Sequence, residues 1–147
     1  MSGPNTRTPA NRTVEEWDQL VNAATEILLE QGRKHDPTIS YSALNTLLEE
    51  RTGQAKFNLD LQEDRNALGG VLADVNDRTL PMIESAMGRK ALLSTLVMHK
   101  GSSDLGGGYY AYAWNQGMLT SRTAEARDLF LVQQLKVIAD YCKRELA

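Results

Sequence analysis

Apolar residues recur at spacings of three and four along much of the chain, which is the pattern of amphipathic helices. The first predicted helix runs from Thr13 to Gln31, and Thr13 with Glu16 forms the capping box that marks its start. Three further helices are predicted: one from a cap at Ser40 or Ser42 to Gly53, one from residues 62–64 to 76–77, and one from Thr123 to Leu146. Residues 78–90, which contain Pro81, are predicted to be a connection.

The third predicted helix contains two consecutive glycines, Gly69 and Gly70. Each glycine in a helix interior costs about 1 kcal/mol relative to alanine. We therefore expect a neighbouring backbone to pass close to this pair.

Three other stretches have the composition of strands. Residues 38–41 are β-branched and predict a short strand, and residues 91–99 (ALLSTLVMH) predict a buried one. Residues 109–114 (YYAYAW) predict a return strand, because bulky and small side chains alternate there. The intervening residues 100–108 hold four glycines, so the pattern indicates a β-hairpin with a glycine-rich tip.

The order of these elements is helix, strand, helix, helix, strand, wing, strand, helix. This order predicts a mostly helical α+β fold of the winged-helix type, with a long N-terminal helix and an extra C-terminal helix. Its 147 residues suit one domain, which we place at 13–147 after a flexible tail at 1–12. Neither a membrane span nor a secretory leader is evident, so we expect a cytoplasmic protein.

Charge and cysteine content narrow the function classes. The net charge is −3 and no basic stripe is evident, which disfavours nucleic-acid binding because cations that neutralise phosphates supply most of the non-specific affinity. Cys142 is the single cysteine, and it is most simply a buried small side chain. His, Cys, Asp and Glu show no metal-ligand spacing, so no metal and no cofactor is expected.

Three stretches resemble the DNA-binding domain of the O6-alkylguanine-DNA alkyltransferases and alkyltransferase-like proteins. They are residues 39–44 (ISYSAL), 65–72 (RNALGGVL), and 96–100 (LVMHK) followed by 106–109 (GGGY), and they occur in that family's order. The resemblance covers roughly residues 38–114 and implies a helix-turn-helix within a winged helix. It also implies that Tyr41 lines a base pocket and that His99 corresponds to the family's histidine.

The same resemblance places a methionine where the family has its acceptor cysteine. A thioether has no thiolate, so Met98 cannot accept an alkyl group, and we expect a protein that is not an enzyme. The family's arginine that fills the vacated base stack falls at Asn66, with Arg65 one residue away.

The leading hypothesis is a regulatory, nucleic-acid-binding module that contacts double-stranded DNA without catalysis. The candidate contacts are Tyr41, Arg65, Asn66, His99, Lys100, Ser102 and Ser103. The alternative is a protein-interaction module on the same fold, because the third helix carries four carboxylates against Arg65 alone. A hydrolase or transferase that uses His99 ranks last.

The two outer helices, from Thr13 to Gln31 and from Thr123 to Leu146, carry long apolar stripes. These stripes either pack on each other within one chain or pair across a two-fold homodimer.

Overall fold

The computed structural model describes residues 12–98, 107–121 and 123–146. The elements are α1 (Val14–Gln31), β1 (Ile39–Ser40), α2 (Tyr41–Thr52), α3 (Gln62–Met87), a 3₁₀ helix (Leu93–Leu96), β2 (Val97–Met98), α4 (Gly107–Asn115) and α5 (Ala124–Leu146). The described chain is therefore mostly helical with a small two-stranded sheet, which confirms the coarse α+β prediction. The strands run parallel, with Ile39 opposite Val97 and Ser40 opposite Met98.

The predicted helix starts are confirmed. The starts of α1, α2 and α5 each depend on a side chain and a backbone N–H three residues apart, whereas α3 begins at Gln62 without a side-chain cap. Thr13 Oγ1 accepts from the N–H of Glu16 at 3.1 Å, and Glu16 Oε1 accepts from the N–H of Thr13 at 2.9 Å. Ser40, and not Ser42, caps α2 by accepting from the N–H of Ala43 at 3.0 Å.

The predicted end of the third helix is wrong. α3 continues ten residues beyond Asp77, through Pro81, to Met87. A proline in a helix interior costs about 3 kcal/mol, but this extension buries Thr79, Leu80 and Ile83, and that burial offsets the cost. Residues 78–87 are therefore helix and not connection.

The two glycines of α3 have different surroundings. A Cβ on Gly69 would meet no atom within 4 Å, whereas one on Gly70 would lie 3.3 Å from the indole ring of Trp17. The expected close approach therefore exists at Gly70 only, and the neighbour is a side chain and not a backbone. The indole Nε1 of Trp17 donates to Asp74 Oδ2 at 2.6 Å, one turn further along α3.

The predicted hairpin is also wrong. Of residues 91–98, Leu93–Leu96 form a 3₁₀ helix and only Val97–Met98 form a strand, which pairs with β1. An apolar run of this length is consistent with a buried strand or a buried helical turn, and here all four residues of the turn are buried. His99 lies outside the described residues.

Residues 109–114 belong to helix α4 and are not a return strand. Tyr109, Tyr110 and Ala113 are buried, which is helical spacing, whereas Trp114 is 38% exposed. The alternation of large and small side chains had favoured a strand, but the buried set follows the period of 3.6. The prediction of a returning strand is therefore wrong. Residues 101–106 of the predicted tip lie outside the described residues, and Gly107 and Gly108 begin α4, so the wing is not confirmed.

Four buried amide side chains bind the backbone of the irregular segments. Gln31 Nε2 donates to Thr38 O at 3.0 Å, and Asn45 both donates to Phe57 O and accepts from its N–H. Asn76 accepts from the N–H of Ser94 at 3.1 Å, and Gln134 accepts from the N–H of Leu92 at 2.7 Å. α1, α2, α3 and α5 thus each satisfy backbone groups of a segment that lies outside the long helices.

The buried apolar residues form two clusters. The main cluster contains residues of α1, α2, α3, the strands and the C-terminal half of α5; examples are Leu28, Leu44, Leu68, Val97 and Ile138. The aromatic cluster consists of Leu80, Leu92, Tyr109, Tyr110, Ala113, Leu119 and Phe130. Among the described helices, none combines the length and the apolar character that crossing a bilayer requires.

Both outer helices contribute to the main cluster. α1 packs on α2 and α3, and Cys142 of α5 lies so close to α1 that a Cβ on Gly32 would come within 2.3 Å of its sulfur. The interpretation of Cys142 as a buried small side chain is confirmed. Arg12, the last residue of the predicted tail, is also buried; residues 1–11 lie outside the described chain.

Candidate binding surface

The pairing of β1 with β2 brings two of the resembling stretches together. Ser40 lies opposite Met98, and Tyr41 follows Ser40 as the first residue of α2. Tyr41 is half-buried against the main cluster, whereas Met98 is half-buried against the aromatic cluster. The strand pair therefore lies where the two clusters meet.

This junction holds no cysteine nucleophile. Met98 carries a thioether, and the one thiol of the chain, Cys142, lies on α5 against Gly32. Burial raises the pKa of Cys142 from 9.0 to about 11, and nearby Arg33 lowers it to a smaller extent. The thiol is therefore protonated near neutral pH and unsuited to nucleophilic attack.

Arg65 and Asn66 lie together on the exposed first turn of α3, joined through Gln62. Arg65 Nη1 donates to Leu59 O and Nη2 donates to Gln62 Oε1, both at 2.8 Å. Gln62 Nε2 donates to Asn66 Oδ1 at 2.8 Å. These bonds fold the guanidinium of Arg65 back onto the start of its own helix.

Four of the seven predicted contacts lie outside the described residues: His99, Lys100, Ser102 and Ser103. Of the other three, the structure places Arg65 and Asn66 in one network and Tyr41 beside the strand pair.

Two residues that the sequence analysis did not single out position the segment before α3. Asn45 binds both the N–H and the carbonyl of Phe57 from beneath. The guanidinium of Arg12 lies 4.1 Å from the centre of the Phe57 ring and donates to Gln54 Oε1 and Ala55 O. Burial lowers the pKa of Arg12, and Asp64 and Glu16 partly offset that effect. The sequence signal for Asn45 is its position between Leu44 and Leu48, because a polar side chain on the apolar face of a helix needs a hydrogen-bond partner.

Most carboxylates along α3 are used internally. Asp64 accepts from the N–H of Asn58 at 2.6 Å, and Asp77 accepts from the hydroxyl of Tyr112. Burial and this bond to Asp77 raise the pKa of Tyr112. Arg78, the second cation of the helix, pairs with Asp18 of α1. Glu63 is exposed on the first turn of α3.

The polar atoms of the aromatic cluster have a structural role. Thr95 Oγ1 donates to Leu92 O at 2.6 Å and lies 2.6 Å from the hydroxyl of Tyr109. Burial raises the pKa of Tyr109, so this phenol stays neutral well above its ordinary range. The hydrogen bond between the two hydroxyls joins α4 to the 3₁₀ helix.

Within the described residues, no group of three or more His, Cys, Asp or Glu side chains is arranged to hold a metal ion. No protein-family model matches the sequence, and no curated protein or solved structure matches the chain.

Proposed function

We propose that this chain is a non-enzymatic binding module and that the exposed first turn of α3 docks a protein partner carrying basic residues. The observation that carries the proposal is the charge at this turn. Between residues 56 and 66 there are three carboxylates against two cations, and one of those cations, Arg65, is bonded back to Leu59 and Gln62.

Electrostatics favour a basic partner over a polyanion here. A surface that binds DNA gains most of its non-specific affinity from cations that neutralise phosphates. Extending Arg65 toward a phosphate would break two hydrogen bonds, and Glu63 beside it would repel the phosphate. The same carboxylate attracts lysine and arginine side chains of a protein, so a partner of that kind fits this turn.

The absence of catalysis is part of the proposal. It is supported by the thioether of Met98 at the position of the resembled family's acceptor cysteine. The winged-helix relationship likewise stays a proposal. It is supported by α1, α2 and α3, of which α2 and α3 both pack on α1, and by the strand pair that holds Ser40 opposite Met98.

Binding of double-stranded DNA is the second candidate, and one observation favours it. Ser40 and Tyr41 come from one stretch of the resemblance and Met98 from another, and the strand pair makes Ser40 and Met98 neighbours although they are 58 residues apart in the chain. In this second candidate, DNA contacts Tyr41, Arg65 and Asn66, together with His99, Lys100, Ser102 and Ser103.

One substitution separates the two candidates, because its effect has opposite signs. Glu63→Lys replaces the exposed carboxylate by an ammonium group. It should lower capture of a basic protein by about tenfold, since an attractive pair becomes a repulsive one. It should raise affinity for duplex DNA and steepen the log–log salt slope by about one.

The matched control is Glu15→Lys. Glu15 occupies the second helical position of α1, as Glu63 does in α3, so both changes have the same unfavourable effect on a helix N-terminus. The purified variants serve as bait in lysate with and without nuclease treatment, and duplex binding is titrated at several salt concentrations. Equal capture by both variants would contradict the proposal. Capture that nuclease abolishes, with tighter duplex binding by Glu63→Lys, would establish the DNA candidate instead.

A further inference from the structure

Helix α5 has apolar side chains on its solvent-facing side as well as on its buried side. Leu129 is 60% exposed and Val132 is 65% exposed, the two highest values among the large apolar side chains of the described residues. They lie one turn apart on α5. The opposite side of the helix packs Phe130, Val137, Ile138 and Tyr141 into the two clusters.

Charged residues flank this exposed pair in a definite order. On a helix, residues 125, 128, 132, 136 and 143 lie along one face. Glu125 and Asp128 precede Val132, whereas Lys136 and Lys143 follow it, and all four are exposed. Asp140 is exposed as well, and it lies about 60° around the helix from Lys143, at the edge of this face. In the described part of the chain, neither Asp128 nor Lys136 forms an ion pair.

A face that is acidic at one end, apolar in the middle and basic at the other end is complementary to itself only when two copies run antiparallel. A two-fold axis at Val132 places each Asp128 opposite Lys136 of the partner subunit and each Leu129 opposite Leu135 of the partner subunit. A parallel arrangement would oppose like charges along the whole face. Leu135 is half-buried at the edge of the same face, so it can widen the apolar centre.

We propose that two copies of this chain associate through the face of α5 formed by Glu125, Asp128, Leu129, Val132, Lys136 and Lys143, antiparallel about Val132. The interface is isologous, as in most two-fold dimers. The charge order selects a second copy over another protein, because the complement of this face is the face itself. α1 does not contribute in this way, since its apolar stripe is covered by α2 and α3 and only Val14 among its large apolar residues is exposed.

A charge exchange tests the pairing. Dimer dissociation is measured by sedimentation equilibrium over a range of protein concentrations. Asp128→Lys and Lys136→Asp should each raise the Kd by about tenfold or more, because each places two like-charged pairs in the interface. The double variant Asp128→Lys/Lys136→Asp should return the Kd to within about threefold of the wild type, because the pairs are restored with reversed sign.

The control for the charge exchange is Glu50→Lys, an equal charge change on the exposed side of α2, which should leave the Kd unchanged. Circular dichroism checks that each variant is folded. A wild-type chain that stays monomeric at every concentration would overturn the proposal. So would a double variant that is as weak as the single ones, since that result excludes the pairing of residue 128 with residue 136.

Crosslinking tests the position of the axis separately. A cysteine on a two-fold axis meets its own copy, so Val132→Cys should form a reducible dimer under mild oxidation. Gln133→Cys, about 100° further around the exposed side of α5, should not. The native Cys142 is buried and should not react in either variant. Equal crosslinking at both positions would indicate random collision and would overturn the proposed axis.

Discussion

The two apolar clusters differ in size, in composition and in how well their elements were predicted. Among the described residues the main cluster has 24 members, nearly all aliphatic, whereas the aromatic cluster has seven, three of which are tyrosine or phenylalanine. The helices of the main cluster have long periodic patterns, and their starts were predicted correctly. α4, the centre of the aromatic cluster, was predicted to be a strand.

This difference follows from length. A long helix repeats its apolar spacing several times, so the period of 3.6 is unambiguous. α4 is nine residues long and offers little more than two turns, and its aromatic side chains also suit strands. A short aromatic segment therefore takes its conformation from the surface on which it packs.

The largest expected effect lies in the main cluster. Leu28 is fully buried, so Leu28→Ala should lower the free energy of unfolding by about 2–5 kcal/mol. Val14→Ala on the same helix should change it by less than about 0.5 kcal/mol, because Val14 is 54% exposed. Urea unfolding followed by circular dichroism measures both. Similar losses would show that α1 does not form the centre of the core.

A smaller effect is expected in residues 92–96, the segment that contributes to both clusters. Leu92 belongs to the aromatic cluster, whereas Leu93 and Leu96 belong to the main one, and Asn76 holds this segment through Ser94. Asn76→Ala leaves the buried N–H of Ser94 without its acceptor and should cost about 1–3 kcal/mol. The exposed Asn66→Ala is the control and should be nearly neutral. If the two variants are equally stable in urea, the amide of Asn76 does not stabilise the segment 92–96.

The smallest effect is expected in the aromatic cluster. Tyr109→Phe removes one buried hydroxyl, while Thr95 Oγ1 keeps its bond to Leu92 O, so the loss should be about 1 kcal/mol near neutral pH. The pH dependence of the stability is a more specific test of the buried Tyr109 hydroxyl. Burial raises the pKa of Tyr109, so the unfolded chain releases this proton first, and the stability of the wild type falls as pH rises above about 10.

Tyr109→Phe lacks that proton, so the stability difference between wild type and variant should shrink between about pH 8 and about pH 11. Urea unfolding at a series of pH values measures it. Cys142 titrates in the same range, but it is present in both proteins and does not affect the difference. A difference that stays constant with pH would mean that the Tyr109 phenol is accessible to solvent in the folded chain.

A structural feature can be predicted from the sequence alone when the contacts that determine it are made between residues close together in the chain. Thr13, Ser40 and Thr123 were predictable as helix caps because each binds a backbone N–H three residues away. Asn76 was predicted as a helix end, yet its amide binds Ser94, which is 18 residues further on. The same side chain has a local and a distant use, and only the fold selects between them.

The candidate surfaces show the same division. Arg65 and Asn66 were singled out from their sequence, but the bonds of Arg65 to Leu59 and Gln62 depend on the path of the preceding loop, which Asn45 and Arg12 hold. The sequence pattern does not distinguish Leu129 and Val132 from the other apolar residues of α5. They are exposed because the opposite side of α5 packs into the core, and that orientation is set by the tertiary structure.

Local patterns in the amino-acid sequence are enough to show that this chain is mostly helical, where its long helices begin, and that Met98 offers no thiolate. Hydrogen bonds within one helical turn and the period of apolar residues carry that information. The tertiary structure decided that α3 continues past Pro81, that α4 is a helix, that β2 pairs with β1, and which charges and apolar side chains remain exposed. Those outcomes depend on burial against residues distant in the chain, and burial is a property of the assembled core.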